Sequence, residues 1–249
     1  MFYGIPEGKH EAFRQAYNTI KELFPGVYGA DMLITISRNR SFMLDSHFTE
    51  CFSKFAGTEQ EQSLVWRLHT LAWAAGHAMS IEGDFVECGV LRGFSSKVIC
   101  EYLEFEKSEK NFYLYDTFSG LPVETSTEKE RKDWDYTSYS YDELYQEVKE
   151  AFSTYPNVHV VPGKVPFVFD EVVPEKIAFM HIDMNSEAAE VMALEHLFDR
   201  VTVGGIIVFD DFGWMVNQNQ MIAELKFMAQ REHMVLELPT GQGVVIKHA

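Results

Sequence analysis

The side chains best placed for chemistry in this chain are acidic. Asp183 closes the apolar run IAFMHID, and Asp210 and Asp211 close GGIIVFDD. If these runs are neighbouring strands of one sheet, their ends stand about 4.8 Å apart. At about 4 Å and an effective dielectric of about 20, each like-charged pair would cost about 4 kcal/mol. Either a proton is shared or a cation sits among the three. Oxygen ligands suit Mg2+ or Ca2+. His181 falls on the same face of its strand as Asp183, which opens the set to a softer metal or leaves the histidine packed behind it. In an extended strand Asp210 and Asp211 point oppositely, so one of them can instead cap a helix or support the other. A purely structural acidic edge is the competing reading.

A second constellation lies upstream. The run DFVECGV enters a turn through Glu87, Cys88, Gly89 and Gly93, and a helix begins near Ser95. Glycine at a strand-to-helix turn lets a ligand approach the backbone, and the N–H groups of the helix start favour an anionic group. The spacing is G-x-x-x-G, which lacks the G-x-G-x-x-G pattern of pyrophosphate binders. A tight turn where only glycine fits explains it equally well. Asp116 closes the next strand, NFYLYD, where a carboxylate can accept both hydroxyl protons of a ribose. Glu87 is a charge inside an apolar strand and needs a partner; an amino group or ribose hydroxyl of a ligand would serve. Together Glu87, Gly89 and Asp116 predict an adenosyl pocket without a pyrophosphate site, hence S-adenosylmethionine rather than NAD.

The elements that must hold these residues follow from periodicity. Helices are expected over 11–24 and 59–79 in a helical, irregular first segment. From Gly83 onward short apolar runs alternate with helical patterns. Strands are predicted over 84–90, 111–116, 158–163, 177–183 and 204–211, with helices over 95–105, 141–154, 187–200 and 217–232. Two final strands, over 234–238 and 243–247, are joined by a Pro-Thr-Gly-Gln turn that permits only an antiparallel hairpin. Near-continuous apolar strands argue a parallel sheet covered on both faces. The expected fold class is therefore α/β, a Rossmann-like, mostly parallel sheet of the class I methyltransferase outline. Residues 1–80 are expected to form a helical cap and 81–249 the main domain. The segment 117–140 is polar and aromatic. It reads as a lid over the strand ends or as a surface loop, and its tyrosines and Trp134 favour the lid.

The chain has 249 residues, 46% of them hydrophobic, enough for a full core. Lys and Arg number 21 against 38 Asp and Glu, a formal charge of −17. Such a chain repels nucleic acid and anionic lipid, and its densest basic stretch, 38–40, holds two charges. Cys51, Cys88 and Cys100 are too few and too irregular for a disulfide framework or a CxxC zinc site. The first residues lack the shape of a secretion signal. The stretch 64–81 contains Arg67, His69 and His77 and makes a poor membrane span. A cytoplasmic protein with no nucleic-acid or membrane partner is expected.

FVECGVLRG, LYDTFSGLP, AFMHIDMN, VGGIIVFDDFGW and LPTGQG resemble the macrocin O-methyltransferase (TylF-type) family over roughly residues 80–249. The resemblance implies a class I fold, S-adenosylmethionine as donor and Mg2+-dependent methylation of a hydroxyl, often on a sugar of a natural product. It also implies a small-molecule acceptor and a homodimer, with residues 1–80 as the expected contact. Glu87, Gly89 and Asp116 fall on donor-binding positions, and Cys88, Gly93, Ser95, Thr117, Gly163 and Asp183 complete the candidate donor set. Asp183, Asp210 and Asp211 fall on the metal ligands.

Two departures stand out. The family pattern D-x-D places an acid, a candidate base, where this chain has Asn185, and an amide cannot take a proton. After Gly163, KVPFVFDE replaces the usual aromatic-Phe-Pro-Asp-Thr run. The base is then sought in His181, in Glu187 or in a water on the metal. Glu187 also reads as a helix cap, and Asn185 as a group that orients the hydroxyl or ligates the metal. Gln242 reads as part of a turn or as an acceptor contact, and Trp134 and Trp214 as stacking surfaces or plain packing. The rival functions are a NAD-linked oxidoreductase, a catechol-type O-methyltransferase and a non-catalytic nucleoside-binding protein.

Overall fold

The computed structural model describes residues 2, 5–135 and 140–249. Positions 136–139 of the expected lid lie outside the described residues. Contacts divide the chain into two units, Met1–His69 and Thr70–Ala249. The first carries helices α1 (His10–Leu23), α2 (Ser46–Phe55) and α3 (Glu59–Ser63), and strands β1 (Tyr28–Ala30) and β2 (Leu33–Thr35). Helix α4 (Val65–Ala78) spans the division.

The antiparallel β1–β2 hairpin was not expected from the sequence. Its turn places Asp31 and Met32 at φ 50° and 57°, the left-handed geometry normally announced by Asn-Gly. A buried Arg67 fixes it instead, with Nε and an Nη donating to Asp31 at 2.7 and 3.2 Å. The single helix expected over 59–79 is broken at Leu64. Ser63 Oγ donates back to the Gln60 carbonyl at 2.6 Å, a local bond that competes with the helical ladder.

The second unit holds a seven-stranded sheet. Its strands are β3 (Asp84–Cys88), β4 (Phe112–Asp116), β5 (Val158–Pro162), β6 (Ile177–Ile182), β7 (Val201–Phe209), β8 (Leu236–Glu237) and β9 (Gly243–Ile246), in the order β5-β4-β3-β6-β7-β9-β8. β5 through β7 are parallel, and β9 pairs antiparallel with both β7 and β8. This is the expected α/β architecture. Every residue of β6 is buried, as a strand covered on both faces requires. β7 begins earlier than the expected residue 204. Its ladder with β6 is irregular, Gly204 has φ +90°, and a Cβ on Gly205 would lie 2.8 Å from Thr202 O. The glycines mark a bulge within the strand rather than its start.

Helices α5 (Phe94–Tyr102), α6 (Glu128–Asp133), α7 (Tyr141–Ala151), α8 (Glu187–Leu197) and α9 (Gln218–Ala229) complete the unit. Among the described residues no helix is long and apolar enough to cross a membrane. The chain order leaves β3 by α5 toward β4, while β6 lies on the other side of β3. Such a switch point opens a crevice at the carboxyl ends of the strands.

Helices α8 and α9 pack together and bury Glu190 and Glu224 completely. Burial and the neighbouring Glu224 push the Glu190 carboxyl well above the usual carboxylate range. Burial, reinforced by Asp211, raises Glu224 to about 7. The folded state thus holds a proton that the unfolded chain releases above its ordinary carboxylate pKa. This contribution to stability is complete in acid and fades as pH rises through about 7. Glu224→Gln is expected to flatten the decline in melting temperature between about pH 5 and about pH 8. Parallel pH profiles for variant and parent would contradict this.

Candidate donor and metal site

Backbone hydrogen bonds zip the strand ends together. Gly89 N donates to Tyr115 O, Gly163 N to Asp116 O, Asp183 N to Cys88 O and Asp210 N to Ile182 O, at 2.8–3.0 Å. Gly89 has φ +91°, and a Cβ there would lie 1.8 Å from Asp183 O. Glycine is therefore needed to let the turn after β3 abut the end of β6, whatever else occupies the crevice. Asp116 closes the same turn from β4. Its Oδ2 accepts Val90 N and Leu91 N at 2.7 and 2.8 Å, and its Oδ1 accepts Phe118 N at 2.6 Å.

A cavity opens beside this turn. Of the candidate donor residues, Gly89, Asp116, Thr117, Gly163 and Asp183 line it, together with Asn185. Tyr115, Phe118 and Leu144 give it an apolar wall. Glu87, Cys88, Gly93 and Ser95 are not part of its lining. Cys88 is wholly buried in the sheet. Gly93, at φ +69°, opens α5 without a side-chain cap, and a Cβ there would meet the Phe152 ring at 2.8 Å.

Glu87 finds its partners inside the protein, where the sequence reading looked to a ligand. It accepts a hydrogen bond from Ser96 Oγ, and its Oε1 lies 2.8 Å from His181 Nδ1. His181 sits opposite Glu87 in the β3–β6 register. Its Nε2 faces Asp210 Oδ1 at 3.6 Å. Gln242 Nε2 donates to that same Asp210 oxygen at 3.0 Å, and Gln242 Oε1 accepts from Thr240 Oγ1 at 3.0 Å. A polar row, Ser96–Glu87–His181–Asp210–Gln242–Thr240, thus crosses the sheet through its apolar interior.

Burial alone would lower the His181 pKa. The Asp210 and Glu87 carboxylates outweigh it and raise the imidazole to about 10. At neutral pH His181 is held as a cation with both nitrogens protonated, which is the wrong state for the base role read from the sequence. Glu187, the other base candidate, is exposed at the first position of α8 and outside the cavity lining. Its backbone N–H is capped by Glu130 Oε1 at 2.8 Å. Asn185 lies in the cavity at φ 55°, with Nδ2 3.4 Å from Asp183 Oδ1.

Ligand atoms of His181, Asp183 and Asp210 lie within 4.8 Å of one another. The Asp183 and Asp210 carboxylates approach each other here, an oxygen donor pair that fits a divalent cation, while the protonated His181 brings charge and no lone pair. Mg2+ binds through one or two carboxylates while keeping several waters. Asp211, the third expected ligand, is not in this group. It is buried and accepts from Asn217 Nδ2 at 3.1 Å. Asn217 Oδ1 in turn accepts from Trp134 Nε1 at 3.3 Å. The insertion is also tied to the loop after β6, because Ser186 Oγ donates to Thr125 O. Trp214 packs against Gly241, where a Cβ would lie 2.5 Å from Nε1. Sequence reasoning missed the roles of Gln242, Asn217 and Glu130 as supports.

The model of the macrocin-O-methyltransferase (TylF) family matches residues 66–237. Mycinamicin III 3''-O-methyltransferase of Micromonospora griseorubida is 25% identical over 162 residues, 59% of this chain and 62% of that protein. A tetracenomycin-C rhamnosyl 4'-O-methyltransferase of Streptomyces olivaceus is 24% identical over 144 residues, 54% of this chain and 55% of its own length. The chain therefore spans less than two thirds of either relative. Among solved structures, the O-methyltransferase NovP superposes with a TM-score of 0.63 at 18% identity, covering 74% of this chain and 81% of NovP; it shares the fold.

Gly89→Ala is expected to destabilise the chain by about 1–3 kcal/mol or more, read by denaturant unfolding, and to displace Asp183. An unchanged midpoint would contradict the close approach described here.

Proposed function

Because the chain belongs to the macrocin-O-methyltransferase (TylF) family, we propose that it uses S-adenosylmethionine and Mg2+ to methylate a hydroxyl on a sugar of a small glycoside. The observation that carries this reading is the position of Asp183. It lines the cavity and also belongs to the acidic group with Asp210 and His181. The sugar acceptor is supported by the tetracenomycin-C relative, whose name carries a rhamnosyl group.

In this reading the turn from Gly89, held shut by Asp116, would seat the adenosyl group. Thr117 and Gly163 border it, and the apolar wall excludes water from the sulfonium. Asp183 and Asp210 would hold the cation, which would supply positive charge to lower the pKa of the acceptor hydroxyl. The chain's task is alignment of that oxygen about 3–3.5 Å from the methyl carbon. As the S–C bond breaks and the O–C bond forms, the products are the methyl ether and S-adenosylhomocysteine, and the hydroxyl proton passes to water. Asn185 can donate its amide N–H to the acceptor oxygen but cannot receive the proton. His181 acts as a fixed positive charge that orients Asp210, and Gln242 holds the same oxygen from the other side.

Asp210→Ala is expected to abolish methyl transfer to a panel of glycosides while S-adenosylhomocysteine still binds, measured with labelled donor and by calorimetry. EDTA should silence the parent chain, and added Mg2+ should restore it. Undiminished transfer in EDTA would overturn the metal role, and preference for catechols over glycosides would overturn the acceptor class.

A further inference from the structure

Glu190 and Glu224 are fully buried and lie outside the reacting groups. Glu190 Oε1 accepts the Met184 N–H at 3.0 Å, and Glu190 N donates to Ser186 O at 3.1 Å. One residue of α8 thus closes the loop 183–186 through both its side chain and its backbone. Met184 stands between Asp183 and Asn185, and all three line the cavity together with Ser186. The second oxygen of Glu190 and both oxygens of Glu224 find no partner outside this pair. Two facing carboxyls in such an interior must share a proton. For stability alone the pair is a poor device, because a buried ionisable pair replaced by apolar groups of similar volume is often neutral or stabilising. What two methionines could not supply is an acceptor for the Met184 N–H.

We propose that Glu190, backed by Glu224, is the positioning residue that holds the 183–186 loop in its cation-binding form. The proposal rests on the metal reading above. The carboxyl of Glu190 anchors the backbone one residue past Asp183, so it sets where that ligand points relative to Asp210. Glu224 faces Glu190 across the α8–α9 contact and keeps it in place.

The test compares Mg2+ binding with S-adenosylhomocysteine binding, both by calorimetry on the full chain, alongside thermal melting and hydrogen exchange at Met184. Supports of metal ligands typically contribute about 10–100-fold in affinity. The double variant Glu190→Met/Glu224→Met is expected to melt no lower than the parent, to bind Mg2+ about 10-fold or more weakly, to keep its S-adenosylhomocysteine affinity and to exchange the Met184 amide faster. Glu190→Ala should show the same separation of the two affinities, and Glu190→Gln, which still accepts the N–H, should restore Mg2+ binding. Unchanged Mg2+ affinity in the double variant, or equal loss of both ligands, would overturn the positioning role. Absence of Mg2+ binding by the parent chain would instead sink the metal reading, and this inference with it.

Discussion

A negative charge placed in the middle of a parallel sheet has to be answered from within the protein, and much of this site follows from how Glu87 is answered. Its carboxylate stands on β3 with almost no exposure. The register of β3 against β6 delivers His181 to it, and the imidazole takes up the proton that the pairing demands. The positive ring then turns its other nitrogen to Asp210. One buried charge thus fixes a histidine, and the histidine orients an acid at the sheet's rim. A change at Glu87 would be felt at Asp210, two strands away.

The rest of the site is arranged around that rim by backbone geometry. Gly89 brings the β3 turn against Asp183, and Asp116 spends its oxygens on the same turn and on Phe118 N. The crevice and the acidic group therefore share a wall at Asp183. The insertion is stitched to the loop after β6 through Thr125 and Glu130, and to Asp211 through Trp134 and Asn217. Those contacts give the segment a place beside the strand ends, in keeping with a cover over them.

Much of this is legible in the sequence. The alternation of apolar runs and helical patterns located the sheet, and acids at the ends of three runs located the rim. The remainder depended on long-range register. Nothing local says that Glu87 will face His181, so its charge was read as waiting for a ligand. The divergence of Asp210 and Asp211 was foreseen, but which of them would join Asp183 depends on Gln242 and Asn217, residues with no periodic signal. The β1–β2 hairpin was hidden because its turn relies on a distant Arg67 instead of a glycine. The break at Leu64 carries no proline or glycine to mark it.

The most direct measurement is anomalous diffraction from crystals grown with Mn2+ and S-adenosylhomocysteine. The account predicts one strong peak between the carboxylate oxygens of Asp183 and Asp210, beside a nucleoside seated over Gly89 and Asp116. Density for the nucleoside with no peak at those carboxylates would contradict it.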